Sequence, residues 1–132
     1  MDVLQTRSEL RNGFSIQIDR VVDPDGDVSF LTGPERYSDL PPAERRTYEQ
    51  ADAERLRAYQ RDEWCMVGVL VTIRKQTASN WADGGLEVGR ASLWAIESDS
   101  EPAYFTEVEN DLIAEALAEV ERLRAVLCGA AS

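Results

Sequence analysis

The stretch from Cys65 to Lys75 constrains this chain more than any other. Val67, Val69, Val71 and Ile73 alternate along it as an unbroken β-branched row. Met66, Gly68, Leu70 and Thr72 occupy the positions between them. Successive side chains of a strand point to opposite faces, so both faces of this strand are largely apolar. Such a strand belongs inside a sheet and not at its edge.

Leu86 to Ile96 reads as its returning partner, with Leu86, Val88, Trp94 and Ile96 on one face. Gln76 to Gly85 joins the two as a loop, with turn signals at Ser79-Asn80 and Asp83-Gly84-Gly85. Earlier in the chain, Phe14, Ile16 and Ile18 alternate with polar residues through Val22, the pattern of a half-buried strand. Asp23-Pro24-Asp25-Gly26-Asp27 follows, and its Asp-Gly supplies the positive φ of a tight hairpin, so Val28 to Leu31 is expected to return antiparallel. Residues 1–12 hold few apolar side chains (Met1, Val3, Leu4 and Leu10) and read as a short amphipathic helix or flexible arm ended by Asn12-Gly13.

Two helices complete the pattern. Pro41-Pro42 opens the first, with Ser38 or Asp39 as the expected cap, and it runs to about Asp62. Its apolar stripe is thin (Tyr48, Ala51, Leu56, Tyr59), and Asp52–Arg55 and Glu54–Arg57 are spaced for pairing along it. The second begins after Glu97-Ser98-Asp99-Ser100-Glu101-Pro102, where Ser or Asp caps and an early Pro are expected to start it, and Gly129 ends it. Phe105, Val108, Leu112, Ala116, Val120, Leu123 and Leu127 step by three or four, with Ile113 and Leu117 widening the stripe. The expected fold is α+β: one domain over residues 1–132, β-β-α-β-β-α, with a four-stranded, mostly antiparallel sheet and two helices packed on it. A chain of 132 residues buries roughly two-thirds of its unfolded surface, enough for a real core.

Composition then narrows function. The net charge is −11, and residues 97–132 hold nine acids against two arginines. From Ala91 to Glu121 there is no Lys or Arg at all. That balance argues against direct binding to nucleic acid or to anionic membranes and favours a basic partner. No apolar run approaches the roughly 20 residues of a membrane span. The N-terminus carries an early acid and no apolar h-region, so a cytoplasmic location is expected. Cys65 and Cys128 match no metal or CxxC spacing, and both are expected to be reduced there.

The chain has no histidine, which removes Ser–His and Cys–His relays, and it has no glycine-rich phosphate loop. Asp23, Asp25 and Asp27 suggest a calcium loop, but the glycine and the closing acid fall at the wrong positions. Glu97, Asp99 and Glu101 cluster where strand meets helix and are candidate Mg²⁺ ligands, although the helix dipole also accounts for them. Glu107, Asp111, Glu115 and Glu119 are spaced four apart, which places one carboxylate every ~6 Å along a helix. Like charges at this spacing repel, and only Arg122 stands where it relieves one of them, Glu119. The row reads either as a solvated face or as a surface shown to a basic partner.

Two stretches carry a resemblance. One is Asp62-Glu63-Trp64-Cys65-Met66-Val67-Gly68-Val69; the other is Ala91-Ser92-Leu93-Trp94-Ala95-Ile96-Glu97-Ser98-Asp99-Ser100, followed by Tyr104. Together they resemble a group of small uncharacterised proteins of bacteriophages and prophages, over roughly residues 60–125. This chain has Ala95 where that group usually has Gly. The resemblance implies a phage origin and no catalytic mechanism. Trp64 and Trp94 are expected to bury against the final helix; alternatively, one of them joins Tyr104 as an exposed aromatic anchor inside an acidic rim.

The expected function is that of a non-enzymatic inhibitor without cofactor. It would bind a basic host protein, such as a CRISPR effector or another defence nuclease, through Glu107, Asp111, Glu115 and Glu119, with Trp94 and Tyr104 beside them. The alternatives are a metal-binding module or enzyme using Glu97, Asp99 and Glu101, and a phage accessory or assembly protein that forms homo-oligomers through an open sheet face.

Overall fold

The computed structural model describes residues 2–33, 36–76 and 85–127. Among the described residues there are four strands: β1 (Val3–Arg11), β2 (Phe14–Val22), β3 (Met66–Lys75) and β4 (Leu86–Glu97). They pair antiparallel in the order β1-β2-β3-β4, so β3 lies inside the sheet as its two apolar faces require. The helices are α1 (Pro42–Gln60) and α2 (Pro102–Leu127), and the order β-β-α-β-β-α of an α+β fold holds.

One face of β3 makes the core. Val67, Val69, Val71 and Ile73 are all fully buried, and Ile16 and Ile18 of β2 extend the same face. Phe105, Val108, Leu112, Ile113, Ala116 and Val120 of α2 close over them. Burial of side chains this size stabilises by about 1.5–3 kcal/mol each, which explains why the stripe of α2 docks here. The other sheet face is wetter. Asp19 accepts hydrogen bonds from Thr6 and Gln17, and Arg74 donates to Gln17 Oε1 at 2.7 Å.

The first hairpin differs from expectation. Residues 3–11 are a strand, neither helix nor arm, paired with β2 from Val3↔Val21 to Arg11↔Phe14. Asn12 and Gly13 have φ of 52° and 84°, the two consecutive positive values that a two-residue hairpin demands. The strand was hidden because it lies at the sheet edge with almost every side chain exposed, so no apolar alternation marks it. The Asp-Gly turn serves a different purpose. Asp25 N–H donates to Asp23 Oδ1 at 2.9 Å and Ser29 N–H to Asp27 Oδ1 at 2.8 Å, and these side-chain turns coil the chain into a 3-10 turn at Ser29–Leu31 instead of a returning strand.

The helix α1 begins on Pro41 without a side-chain cap, so neither Ser38 nor Asp39 serves. None of its residues is fully buried. It reaches the body through Leu56, Ala58 and Tyr59, which pack on a small cluster of Leu31, Trp64 and Met66. The expected pairs along it do not form. Asp52 instead binds Arg36 and the Tyr37 hydroxyl, and Arg55 turns to Asp99.

Both tryptophans also depart from expectation, since neither lies in the α2 core. Trp64 is buried beside Tyr59 (ring centroids 5.2 Å apart), with its indole N–H donating to the Arg55 carbonyl at 3.0 Å. Trp94 covers Gly68 on the face away from α2. The cause is a bulge: Leu93 pairs with Val69 and Ile96 with Val67, leaving Trp94 and Ala95 opposite Gly68. One extra residue reverses the alternation, so Trp94 and Ile96 end on opposite faces. Cys128, Gly129 and the turn signals of residues 79–84 lie outside the described residues.

Candidate functional site

The outer face of α2 is the first element of the site. Because the helix buries its apolar stripe, Glu107, Asp111, Glu115 and Glu119 stand exposed on the far side. Glu119 pairs with Arg122. Among the described residues no ion pair reaches Glu107, Asp111 or Glu115, so three consecutive carboxylates of the row are unneutralised. Their neighbours show how differently an acid on the same helix is used. Glu109 faces the sheet, 2.7 Å from Arg7 and 3.7 Å from Arg20, and locks α2 to β1 and β2.

The second element is an open groove of about 750 Å³ where the first turn of α2 meets the end of β4. Met66, Ala95 and Ile96 contribute apolar lining. Phe30, from the 3-10 turn, and Tyr104, from α2, line it as well, 50% and 44% exposed. Four acids border the same space: Asp27, Glu97, Glu101 and Glu107. Among the described residues no basic side chain lines it. The bulge shapes this wall, since Ala95 holds a left-handed φ of 60°, and its N–H donates to Asp23 Oδ2 at 3.0 Å.

The candidate site residues therefore divide. Tyr104 and Glu107 come together in the groove, and Asp111, Glu115 and Glu119 continue from it along α2. Trp94 does not join Tyr104: it turns to the opposite sheet face. Phe30 and Asp27 belong to the groove although nothing in a sequence read as a returning strand marks them. Their signal is the run of Asp residues, which favours side-chain turns over a ladder.

Glu97, Asp99 and Glu101 do not form a metal cradle. Arg55 reaches Asp99 through two hydrogen bonds of 2.5 and 2.6 Å and approaches Glu97 at 3.3 Å. Among the described residues no three His, Cys, Asp or Glu side chains converge as metal ligands. The hydrogen bonds that Arg55 donates hold the Asp99 carboxyl below the usual aspartate range, and the same bonds raise the Arg55 guanidinium in turn. Arg55 also stacks on Trp64, 3.8 Å from the ring centre, so the loop before α2 is tied to α1. The serines of this loop shape it too. Ser98 Oγ accepts the Cys65 N–H at 2.9 Å, and Ser100 Oγ donates to the Glu97 carbonyl at 2.6 Å.

No family model matches the chain, and no curated protein or solved structure shows significant similarity to it. Among the described residues no helix is long and apolar enough to cross a membrane.

Proposed function

We propose that this chain is a non-enzymatic, phage-encoded binding protein that occupies the basic nucleic-acid groove of a host defence protein, of the class of CRISPR effectors and related nucleases, in the host cytoplasm. The single observation that carries the reading is the row Glu107, Asp111 and Glu115, which is exposed and without an ion pair among the described residues. Like charges four residues apart weaken a helix by a few tenths of a kcal/mol per pair, roughly 0.2–0.5. A face kept at that cost suits a partner that supplies the missing cations. The carboxylates recur every ~6 Å against ~3.4 Å for phosphates on a DNA strand, so the resemblance to nucleic acid is coarse. The likeness of residues 60–125 to phage-encoded proteins supports the setting.

The test is capture of partners from an infected bacterial host, followed by reversal of Asp111 and Glu115 to Lys. The expected result is a basic nucleic-acid-binding protein whose affinity falls on reversal and whose salt dependence flattens. A complex in which α2 faces solvent overturns the reading.

A further inference from the structure

Three arginines of this chain share one arrangement, a guanidinium held between an aromatic ring and a carboxylate. Arg55 lies 3.8 Å over Trp64 and binds Asp99. Arg20 lies 3.6 Å over Phe105 and approaches Glu109 at 3.7 Å. Arg36 lies 5.2 Å from the Tyr37 ring centre and pairs with Asp52. The groove at the start of α2 gathers the same components without the cation. It has the rings of Tyr104 and Phe30, the acids Glu101 and Glu107 three residues to either side of Tyr104, and, among the described residues, no Lys or Arg in its lining. Two of its acids are partly engaged, Glu97 by Arg55 and Asp27 by Ser29. Among the described residues neither Glu101 nor Glu107 has an ion pair.

We propose that this groove receives an arginine side chain from the basic partner, an inference that rests on the binding reading above. The guanidinium stacks on Tyr104 or Phe30 while Glu101 and Glu107 accept its N–H donors. The planar, fork-shaped guanidinium fits both contacts, whereas the compact, strongly hydrated ammonium of lysine gains less from a ring face. The groove continues into the acidic row of α2 through Glu107, so one arginine seated there would align a basic surface along Asp111 and Glu115. Trp94 takes no part.

The test uses the whole chain labelled with ¹⁵N and titrated with Nα-acetyl-arginine amide, with the citrulline analogue as an uncharged isostere. The expected result is millimolar binding that shifts the amides of Ala95, Ile96 and Tyr104, with no such shift from citrulline. Truncation of Tyr104 or Phe30 to Ala, whichever ring carries the guanidinium, weakens the arginine probe by about threefold, the usual strength of an exposed cation–π contact. Because both rings are half exposed, the fold is expected to survive; the double variant Glu101→Gln with Glu107→Gln, which preserves shape, should abolish the shifts as well. Equal binding of citrulline, or shifts confined to Asp111 and Glu115, overturns the inference. The reversal of Asp111 and Glu115 separates the two claims. If it abolishes capture of the partner while arginine amide leaves the groove unshifted, the groove inference falls and the acidic row stands. If arginine amide binds the groove while the reversal leaves capture intact, the groove stands and the row falls.

Discussion

The six-membered ring of Trp94 covers Gly68: a methyl group at position 68 would overlap the ring carbons Cε3, Cζ3 and Cδ2. This joins the two motifs of the sequence, because the Val-Gly-Val of β3 and the Leu-Trp of β4 meet across the bulge at residues 94–95. Gly68→Ala is therefore expected to destabilise the protein by about 1–3 kcal/mol, the range for an overpacked site. In urea unfolding, Gly68→Ala combined with Trp94→Ala should cost less than the sum of the two single changes. Strict additivity would mean that the ring does not depend on the glycine.

The salt bridge of Glu109 differs from those on the open surface. Its side chain is 15% exposed and serves both Arg7 (46% exposed) and Arg20 (25% exposed). The Arg20 guanidinium rests on Phe105, and its Nε is buried without a hydrogen-bond partner. Glu109→Ala would strand that charge beside the core, and a loss of about 2 kcal/mol is expected by denaturant unfolding. Arg7→Ala, which removes only the exposed partner, should lose less than about 1 kcal/mol.

What the sequence reveals and conceals follows from where apolar side chains go. The strand Met66–Lys75 and the helix Pro102–Leu127 are legible because both bury unbroken apolar rows in the same core. The strand Val3–Arg11 is not, because an edge strand solvated on both faces has no period to read. Strict alternation puts Trp94 on the same face as Ile96, because alternation cannot register a bulge. Ala95 takes a positive φ of 60° at that bulge, a backbone state that no apolar alternation signals. The acidic row was legible from spacing alone. The groove was not, since Phe30, Met66 and Tyr104 are distant in sequence and meet only through the sheet.

The contact of Arg55 with Asp99 predicts a small pH dependence of stability. The folded Asp99 pKa is lowered, chiefly by hydrogen bonds from Arg55. Its contribution is fully present above the ordinary aspartate value of about 3.9 and is lost as pH falls through the lowered folded value. Asp99 is 49% exposed, so solvent screening keeps the effect modest. Thermal unfolding followed from neutral pH down into this acid range should show Asp99→Asn losing the difference from the parent chain as pH drops. A difference that instead grows with acidity would contradict the pairing.

The acidic row makes a prediction that needs no partner. Glu115 sits four residues after Asp111 and four before Glu119, on an exposed face with the apolar stripe turned away. Glu115→Lys converts two repulsive spacings into two attractive ones; a pair of either sign is worth about 0.2–0.5 kcal/mol, so each reversal is worth about 0.4–1 kcal/mol. The variant should be more stable than the parent by about 1–2 kcal/mol in low salt, and the gain should shrink as added salt screens surface charge. Thermal unfolding at two ionic strengths measures both effects. If the variant is no more stable, the row carries no internal strain and its carboxylates are an ordinary solvated surface. If it is more stable and also loses the captured partner, the native helix gives up stability to keep a negative face, as expected where a functional surface and the optimum for folding conflict.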